Sequence, residues 1–382
     1  MRTIADQIHA TKNNSTGFNY LRLILALAVV AWHSILASYG IAAEAPYWDG
    51  PVRPLLFAIL PGFFALAGFL VAGSLDRVPD LTAFLTLRGL RVFPALTCEV
   101  VLSAILLGPL LTATSLTTYF ADPTFFTYFL NISGWIHYKL PGVFGSNPYP
   151  SIVNVQLWTV PYELGCYLVL AGLAAVGLMK RRNTLTLLVA AVFIVGFLRN
   201  YYFDSFPQFV AGPSVGLLFL SFLLGVLLHV WRDKVPHSPT LFVLSLIFGV
   251  IFVSFRQTTH LFAIPVAYII VFLGMLNPRR LWFIDGTDYS YGVFLYGFPI
   301  QQSVSYVFPG HRAWLFNFLV SAVVSLVCAH LSWTLLESKA LNRRKAAIAY
   351  ATSVRTRLLG LFTTGAYGGL PAQPERDAEA GR

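Results

Sequence analysis

Two basic side chains lie in the first long apolar run of the sequence, at a spacing that places them on one face of a helix. Arg22 and His33 are eleven residues apart, a rotation of about 20° and a separation of about 16 Å along a helix axis. Ionisable groups inside an apolar span are costly and indicate a candidate site. His33 is the candidate general base, and Arg22 is the second catalytic candidate on the same face. The structural alternatives are a snorkelling Arg22 and a hydrogen-bonded interface His33.

A second candidate is the segment LWTVPYE at residues 157–163. Glu163 could orient a histidine and stabilise its charged form, or pair with an arginine; a structural ion pair is the alternative. Trp158 fits an aromatic belt at the membrane surface. We assign substrate binding to Trp158, Tyr162 and the more upstream Trp135.

Arg88 and Arg91 form a third candidate, in the segment LRGLRVFP. They are neighbours on a helix, and guanidinium forks match phosphate geometry. The alternative is an ordinary basic flank of a membrane span. No metal site is expected, because the three cysteines lack C-x-x-C spacing and the sequence has no H-E-x-x-H motif.

The elements that must position these residues are membrane spans. Of 382 residues, 57% are hydrophobic and only 11% are charged, whereas soluble domains average about 25% charged residues. We predict an all-α polytopic membrane protein, because ten apolar windows approach the length that a bilayer requires. The windows are roughly 20–38, 54–73, 92–111, 157–177, 184–199, 212–230, 239–255, 259–276, 288–307 and 314–336.

Basic residues predict the orientation of these spans. With the N-terminus inside, most of the 26 Lys and Arg residues fall in cytoplasmic segments, as the positive-inside rule requires. Both termini are then cytoplasmic, and the net charge of +10 needs no nucleic-acid partner. The first apolar run lacks a cleavage site and is predicted to be a retained span.

The chain divides into three predicted parts. Residues 1–19 form a cytoplasmic segment, and residues 20–340 form the membrane domain with a long outer loop at 112–156. The aromatic content of that loop indicates a functional segment. Residues 341–382 begin basic and end in Gly, Pro, Ala and acidic residues, so we predict a disordered cytoplasmic tail.

These residues together resemble the acyltransferase-3 family of integral-membrane acyltransferases, which O-acetylate cell-surface or exported glycans in bacteria. The resemblance spans roughly residues 15–340. The order and spacing of five stretches support it: 21–33 (LR to WH), 63–70 (FFALAGFL), 88–94 (RGLRVFP), 157–163 (LWTVPYE) and 290–296 (SYGVFLY). The sequence departs from the family pattern at Asn19, Ala67 and Gly297, and at the segment 337–339.

The resemblance implies a function for the candidate residues. His33 matches the family's essential histidine, and Arg22 matches the arginine paired with it. Arg88 and Arg91 match the basic motif associated with acyl-CoA, and Glu163 matches an acidic motif residue. The family implies acetyl-CoA as donor, a glycan or lipid-linked saccharide as acceptor, contact with membrane lipids, and a bacterial inner-membrane location.

Three alternatives remain open at this point. Intramembrane Arg, His and Glu also suit a proton-coupled transporter or flippase, although no inverted repeat is visible. The chain could be a passive membrane scaffold, or an acyltransferase that acts on lipid or protein. Within the acyltransferase hypothesis, direct transfer with His33 as general base and a covalent acyl-enzyme are both compatible with the sequence.

Overall fold

The chain folds into a bundle of helices. The structure is a computed structural model and describes residues 2–11, 15–202, 212–281 and 287–364. Those residues contain no strand, only two isolated bridges. We number the ten main helices α1 Gly17–Tyr39, α2 Arg53–Arg77, α3 Leu81–Leu111, α4 Val155–Ala175, α5 Arg182–Tyr202, α6 Val215–Val230, α7 Pro239–Ser254, α8 Arg256–Gly274, α9 Ser290–Val307 and α10 Trp314–Asn342. Each predicted window falls on one of them, which confirms the all-α class.

Length and exposure identify the membrane-spanning part. Within the described residues, seven helices are long and apolar enough to cross a membrane, namely α1 to α5, α8 and α10. The apolar α6 and α7 have 16 residues each. Large apolar side chains project from the bundle, among them Leu55 at 71% and Leu110 at 72% exposure. Such a surface is stable in lipid rather than water, so the chain is a multi-pass membrane protein.

Helix α2 lies at the centre of the bundle, where it packs against α1, α6 and α8. It approaches α6 so closely that the two backbones touch. A Cβ atom at Gly68 would lie 2.0 Å from the Phe222 carbonyl oxygen, and one at Gly225 would lie 2.1 Å from that of Ala65. Helix α1 packs against α9 and α10 on its other side. The first span is therefore buried between two groups of helices.

Different hydrogen bonds connect the chain segments at the two ends of the bundle. At one end, Ile4 donates its backbone N–H to Val235 at 3.0 Å, and Ser15 Oγ donates to the Gly274 carbonyl at 2.6 Å. At the other end, Arg53 Nε donates to the Val253 carbonyl at 2.8 Å. Following the predicted orientation, we call the end with Ser15 the inner face and the opposite end the outer face.

The segment 112–156 folds into a compact cap on the outer face. It contains the short helices Leu116–Ala121 and Pro123–Tyr128. Asn131 is fully buried, and its Nδ2 donates to the carbonyls of Tyr128 and His137 at 2.8 Å each. A buried amide with several partners fixes the path of irregular chain.

The predicted disorder of the tail is wrong for part of it. Residues Arg344–Thr364 form a helix that lies against α3, where Arg355 Nη1 is 3.5 Å from Asp80 Oδ2. Repeated Ala, Arg and Leu favour this helix, whereas the sequence prediction gave weight to the Gly and Pro residues near the chain end. Residues 365–382 lie outside the described residues.

Candidate active site

Three cavities follow one another through the bundle. The outer cavity has a volume of about 910 Å³, the middle one about 180 Å³ and the inner one about 270 Å³. The outer and middle cavities share Leu60, Thr159 and Phe294 in their walls. The middle and inner cavities share Arg22 and Leu70. Neighbouring cavities along this path therefore share part of their walls.

His33 lines the outer cavity. Its ring packs edge-on against Phe298 of α9, with ring centroids 5.5 Å apart. Its Nδ1 is buried and has no hydrogen-bond partner among the described residues. An imidazole in a cavity wall could exchange a proton with a group bound there, and Nε2 is the ring nitrogen that is not buried without a partner.

Two of the three predicted aromatic residues line this cavity with His33. Trp158 and Tyr162 lie at the start of α4, with ring centroids 5.9 Å apart. Their segment is held by Asn154, whose Oδ1 accepts from the Gln156 N–H at 3.2 Å. Trp135 is 68% exposed and is not in the cavity wall. The structure therefore brings Trp158 and Tyr162 to His33, but not Trp135.

Sequence reasoning missed two polar residues of the outer cavity, Glu44 and Gln156. Glu44 is only 7% exposed, and this burial raises its pKa to about 7, against the opposing effect of a hydrogen bond with Trp48. Both amide atoms of Gln156 are buried without a partner among the described residues. Neither residue belongs to a recognisable motif, and only the fold of the outer segments brings them to His33.

Glu163 and Arg88 line the middle cavity. The Tyr167 hydroxyl donates to Glu163 Oε1, and no hydrogen bond joins Glu163 to His33 in the part of the chain described. The Arg88 guanidinium lies 6.0 Å from the ring centres of Phe84 and Tyr167, and its Nη2 donates to Ser74 at 3.3 Å. Its Nε is buried without a partner, so Arg88 has a free donor.

Arg91 lines the same cavity, but both of its terminal nitrogens are occupied. Nη2 lies 2.8 Å from Asp288 Oδ2, and Nη1 lies 2.7 Å from Glu337 Oε2. Arg22 pairs with the same Asp288 oxygen and also donates to Asn19 Oδ1 at 2.9 Å. Asp288 thus joins two candidate arginines from helices that are far apart in the sequence.

The signal for these acidic partners is weak in the sequence. Asp288 precedes α9 and is separated from Arg22 by 266 positions, so no local spacing indicates the pair. Glu337 lies in the π-helical segment Trp333–Glu337 of α10. Such segments are frequent at functional sites, because they reorient one side chain within a helix.

Arg22 and His33 share a face of α1 but line different cavities. Arg22 lines the inner and middle cavities, whereas His33 lines the outer one. Their axial separation of about 16 Å is too large for both to contact one tetrahedral intermediate. Among the described residues, no cluster of three or more His, Cys, Asp or Glu side chains could hold a metal ion.

Comparison with known proteins identifies the class of this site. A family profile described as an acyltransferase domain matches residues 15–334. The chain is 27% identical to an O-acetyl transferase of Shigella phage Sf6 over 345 residues, which cover 87% of this chain and 97% of that protein. It is 28% identical to nodulation protein 10 of Rhizobium leguminosarum bv. viciae over 377 residues, covering 90% and 98%. No solved structure matches the chain.

The profile covers nearly all of the helical bundle, and every cavity-lining candidate falls within it. Glu337, a partner of Arg91, follows its last residue by three positions. The chain is therefore an acyltransferase that takes its acyl group from a donor. It belongs to the acyltransferase-3 family of integral-membrane acyltransferases.

Proposed function

We propose that this protein transfers an acetyl group from cytoplasmic acetyl-CoA to a hydroxyl of a cell-surface or exported glycan, in the inner membrane of a bacterium. The observation that supports this proposal best is the row of three cavities with shared walls, which leads from the inner face to His33. A donor bound at the inner face could extend its acyl group toward the outer face along this path. The relative named O-acetyl transferase agrees with acetyl as the group transferred.

In the proposed reaction, His33 acts as the general base. It accepts the proton of the acceptor hydroxyl while the oxygen attacks the thioester carbonyl. A C–O bond forms, the C–S bond breaks, and the proton passes from His33 to the leaving thiolate. A general base of this kind contributes about 10²- to 10⁴-fold to the rate.

The acceptor binds in the outer cavity in this proposal. Trp158 and Tyr162 provide ring faces beside His33, which suits the apolar faces of a sugar. Glu44 provides a carboxyl group in the same wall and can hydrogen-bond to sugar hydroxyls. The volume of about 910 Å³ falls within the usual range for small-molecule sites.

In this proposal the donor is bound and positioned by three residues, Arg22, Arg88 and Glu163. They line the middle cavity, where Arg88 has a free donor nitrogen that can bind a carbonyl of the donor arm. Glu163 accepts from Tyr167 and lies in the same wall as Arg88. We therefore assign Glu163 to positioning of the donor, in place of the expected contact with His33. Arg91 supports this wall through Asp288 and Glu337.

The test is acyl transfer by the purified protein in proteoliposomes. Radiolabelled acetyl-CoA is supplied on one side and a soluble oligosaccharide acceptor on the other. We expect base-labile label on the acceptor with wild type, and a loss of at least about 100-fold with His33→Gln. His330→Gln is the matched control, because His330 bonds to the Tyr289 hydroxyl and lines none of the three cavities.

Each rival function gives a different result in this assay. A transporter or flippase moves the oligosaccharide or lipid-linked sugar without adding label. An acyl-enzyme leaves label on the protein when the acceptor is omitted, which would contradict direct transfer. Full activity of His33→Gln would remove the proposed base.

A further inference from the structure

The inner cavity is lined by more cationic than acidic side chains. It lies between the inner ends of α1, α2 and α6. Arg22, Arg77 and Arg232 line it, together with the carboxylate of Asp76. Arg22 is paired with Asp288, which is not part of the cavity wall, and Arg232 with Asp76, so the charge without an acidic partner among the described residues is that of Arg77. An excess of positive charge at the mouth of a path attracts and holds an anionic ligand.

One oxygen of the Asp76 carboxylate, Oδ2, already has two partners. His229 Nε2 lies 2.9 Å from Asp76 Oδ2, and Arg232 Nη2 lies 3.1 Å from the same oxygen. Arg232 Nη1 also donates to the His229 carbonyl at 2.8 Å. These contacts fix Arg232 in the wall, and no ion pair or hydrogen bond joins Asp76 to the adjacent Arg77 among the described residues.

Arg77 is the arginine of this cavity whose side chain has no acidic partner among the described residues. The Arg77 side chain has neither an ion pair nor a hydrogen bond with any described residue. It lines the cavity and is exposed. Its five N–H donors are therefore available to a ligand, and their planar fork matches the oxygens of a phosphate.

We propose that the inner cavity binds the phosphate groups of coenzyme A, with Arg77 as the main contact and Arg232 as the second. This inference rests on the proposed function, because it assigns the phosphorylated end of the donor to one place. The acyl arm would then continue past Arg22 and Leu70 into the middle cavity. The same two residues exclude the bulkier nucleotide from that smaller space.

The continuity of the two cavities favours a soluble donor over the phosphate of a lipid headgroup. A headgroup needs only a basic surface at the membrane, whereas this cation cluster opens into a cavity of about 270 Å³ that leads inward to Arg22 and Arg88. A phosphate bound by Arg77 thus places the rest of its molecule next to the donor side of the site.

The test compares two ligands that share the arm, of which only coenzyme A carries the phosphorylated nucleotide. Coenzyme A and pantetheine are titrated against the full-length protein in neutral detergent, by calorimetry or by fluorescence. Arg77→Gln should weaken coenzyme A binding by about tenfold, the loss of about 1.4 kcal/mol. It should leave pantetheine binding within about twofold, because pantetheine has no phosphate for Arg77 to contact. Arg77→Lys should keep part of the affinity, since it retains the charge but not the fork.

Arg344→Gln is the matched control. Arg344 is an exposed arginine that lines none of the three cavities, so its replacement should change neither affinity. Equal weakening of both ligands by Arg77→Gln would indicate a structural role and overturn the proposal. So would an unchanged coenzyme A affinity together with a loss of co-purified anionic lipid.

The outcome is separate from that of the acetyl-transfer assay. If label never reaches a glycan but Arg77→Gln still weakens coenzyme A selectively, the proposed acceptor is wrong and the inner site stands. If transfer proceeds and Arg77→Gln affects neither ligand, the inner site is wrong and the proposed function stands.

Discussion

Arg91, in the wall of the middle cavity, forms an ion pair with Asp288, with 2.8 Å between Nη2 and Oδ2. The Arg91 side chain is 20% exposed and that of Asp288 is 16% exposed. The second carboxylate on Arg91, that of Glu337, is only 2% exposed. The two arginines of the RGLR segment therefore differ in role, since Arg91 is neutralised by buried acids and Arg88 is not.

Replacing Arg91 should damage the fold more than replacing Arg88. Arg91→Gln leaves Asp288 with Arg22 alone and Glu337 without its cation, and breaking a buried pair costs about 3–5 kcal/mol. Arg88→Gln removes only a 3.3 Å bond to Ser74 and ring contacts. We expect a large drop in the thermal midpoint for Arg91→Gln, and for Arg88→Gln a midpoint within about 3 °C of wild type with a higher KM for the donor.

The double variant Arg91→Gln, Glu337→Gln serves as the control for this interpretation. It removes the unpaired carboxylate, so it should recover part of the stability lost in Arg91→Gln. A midpoint for Arg91→Gln that matches wild type would show that this ion pair does not support the bundle.

Replacements of the two tryptophans predicted to bind substrate, Trp158 and Trp135, should differ in their effect on the KM for the acceptor. Trp158 lines the outer cavity with His33, and Trp135 does not. Trp158→Ala should raise the KM for the acceptor by about tenfold or more, because a stacked ring contributes up to several kcal/mol of binding. Trp135→Ala should change it by less than about threefold. Equal effects of the two replacements would contradict the assignment of the acceptor to this cavity.

Glu44 should make the stability of the protein depend on pH near neutrality. Burial raises its pKa from 4.5 to about 7 in the folded chain, so the folded state holds a proton that the unfolded state releases. The contribution of this proton to the free energy of unfolding is fully present below pH 4.5 and is lost as the pH rises through 7. The total loss is about 3 kcal/mol. Glu44→Gln should flatten the fall in thermal midpoint between pH 5 and pH 8. Asp49→Asn, at a side chain 65% exposed in the same segment, should leave the fall unchanged.

The sequence predicted the helices well because apolar length alone determines which segments lipid can accommodate. It also predicted that Arg22 and His33 share a face, since both belong to one helix of regular geometry. It could not predict that Glu163 lines the middle cavity and does not bond to His33, because that depends on the rotation of α4 against its neighbours. Asp288 was missed for the same reason, as its partners come from α1 and α3. The bond from Tyr167 to Glu163, in contrast, is a local pair four residues apart on α4. The helix at Arg344–Thr364 was not predicted, because the Gly, Pro and acidic residues near the chain end indicate disorder for the tail as a whole.

The close contact of α2 with α6 should be the part of the bundle most sensitive to small changes. Gly68 is half of that contact, and a Cβ atom there would lie 2.0 Å from the Phe222 carbonyl oxygen, a distance that no side-chain movement can relieve. Gly68→Ala must push the two helices apart, which costs about 1–3 kcal/mol or more. Phe222 also lines the middle cavity, so donor use should weaken together with stability.

Gly172→Ala provides the matched comparison. Gly172 is also within a helix, but a Cβ atom there meets nothing within 4 Å. Alanine is the better helix former by about 1 kcal/mol, so this variant should be as stable as wild type or slightly more so. The measurement is the thermal midpoint of each purified variant, with the KM for the donor recorded beside it. If Gly68→Ala kept the wild-type midpoint, the two helices would have to be farther apart than the backbone contact requires.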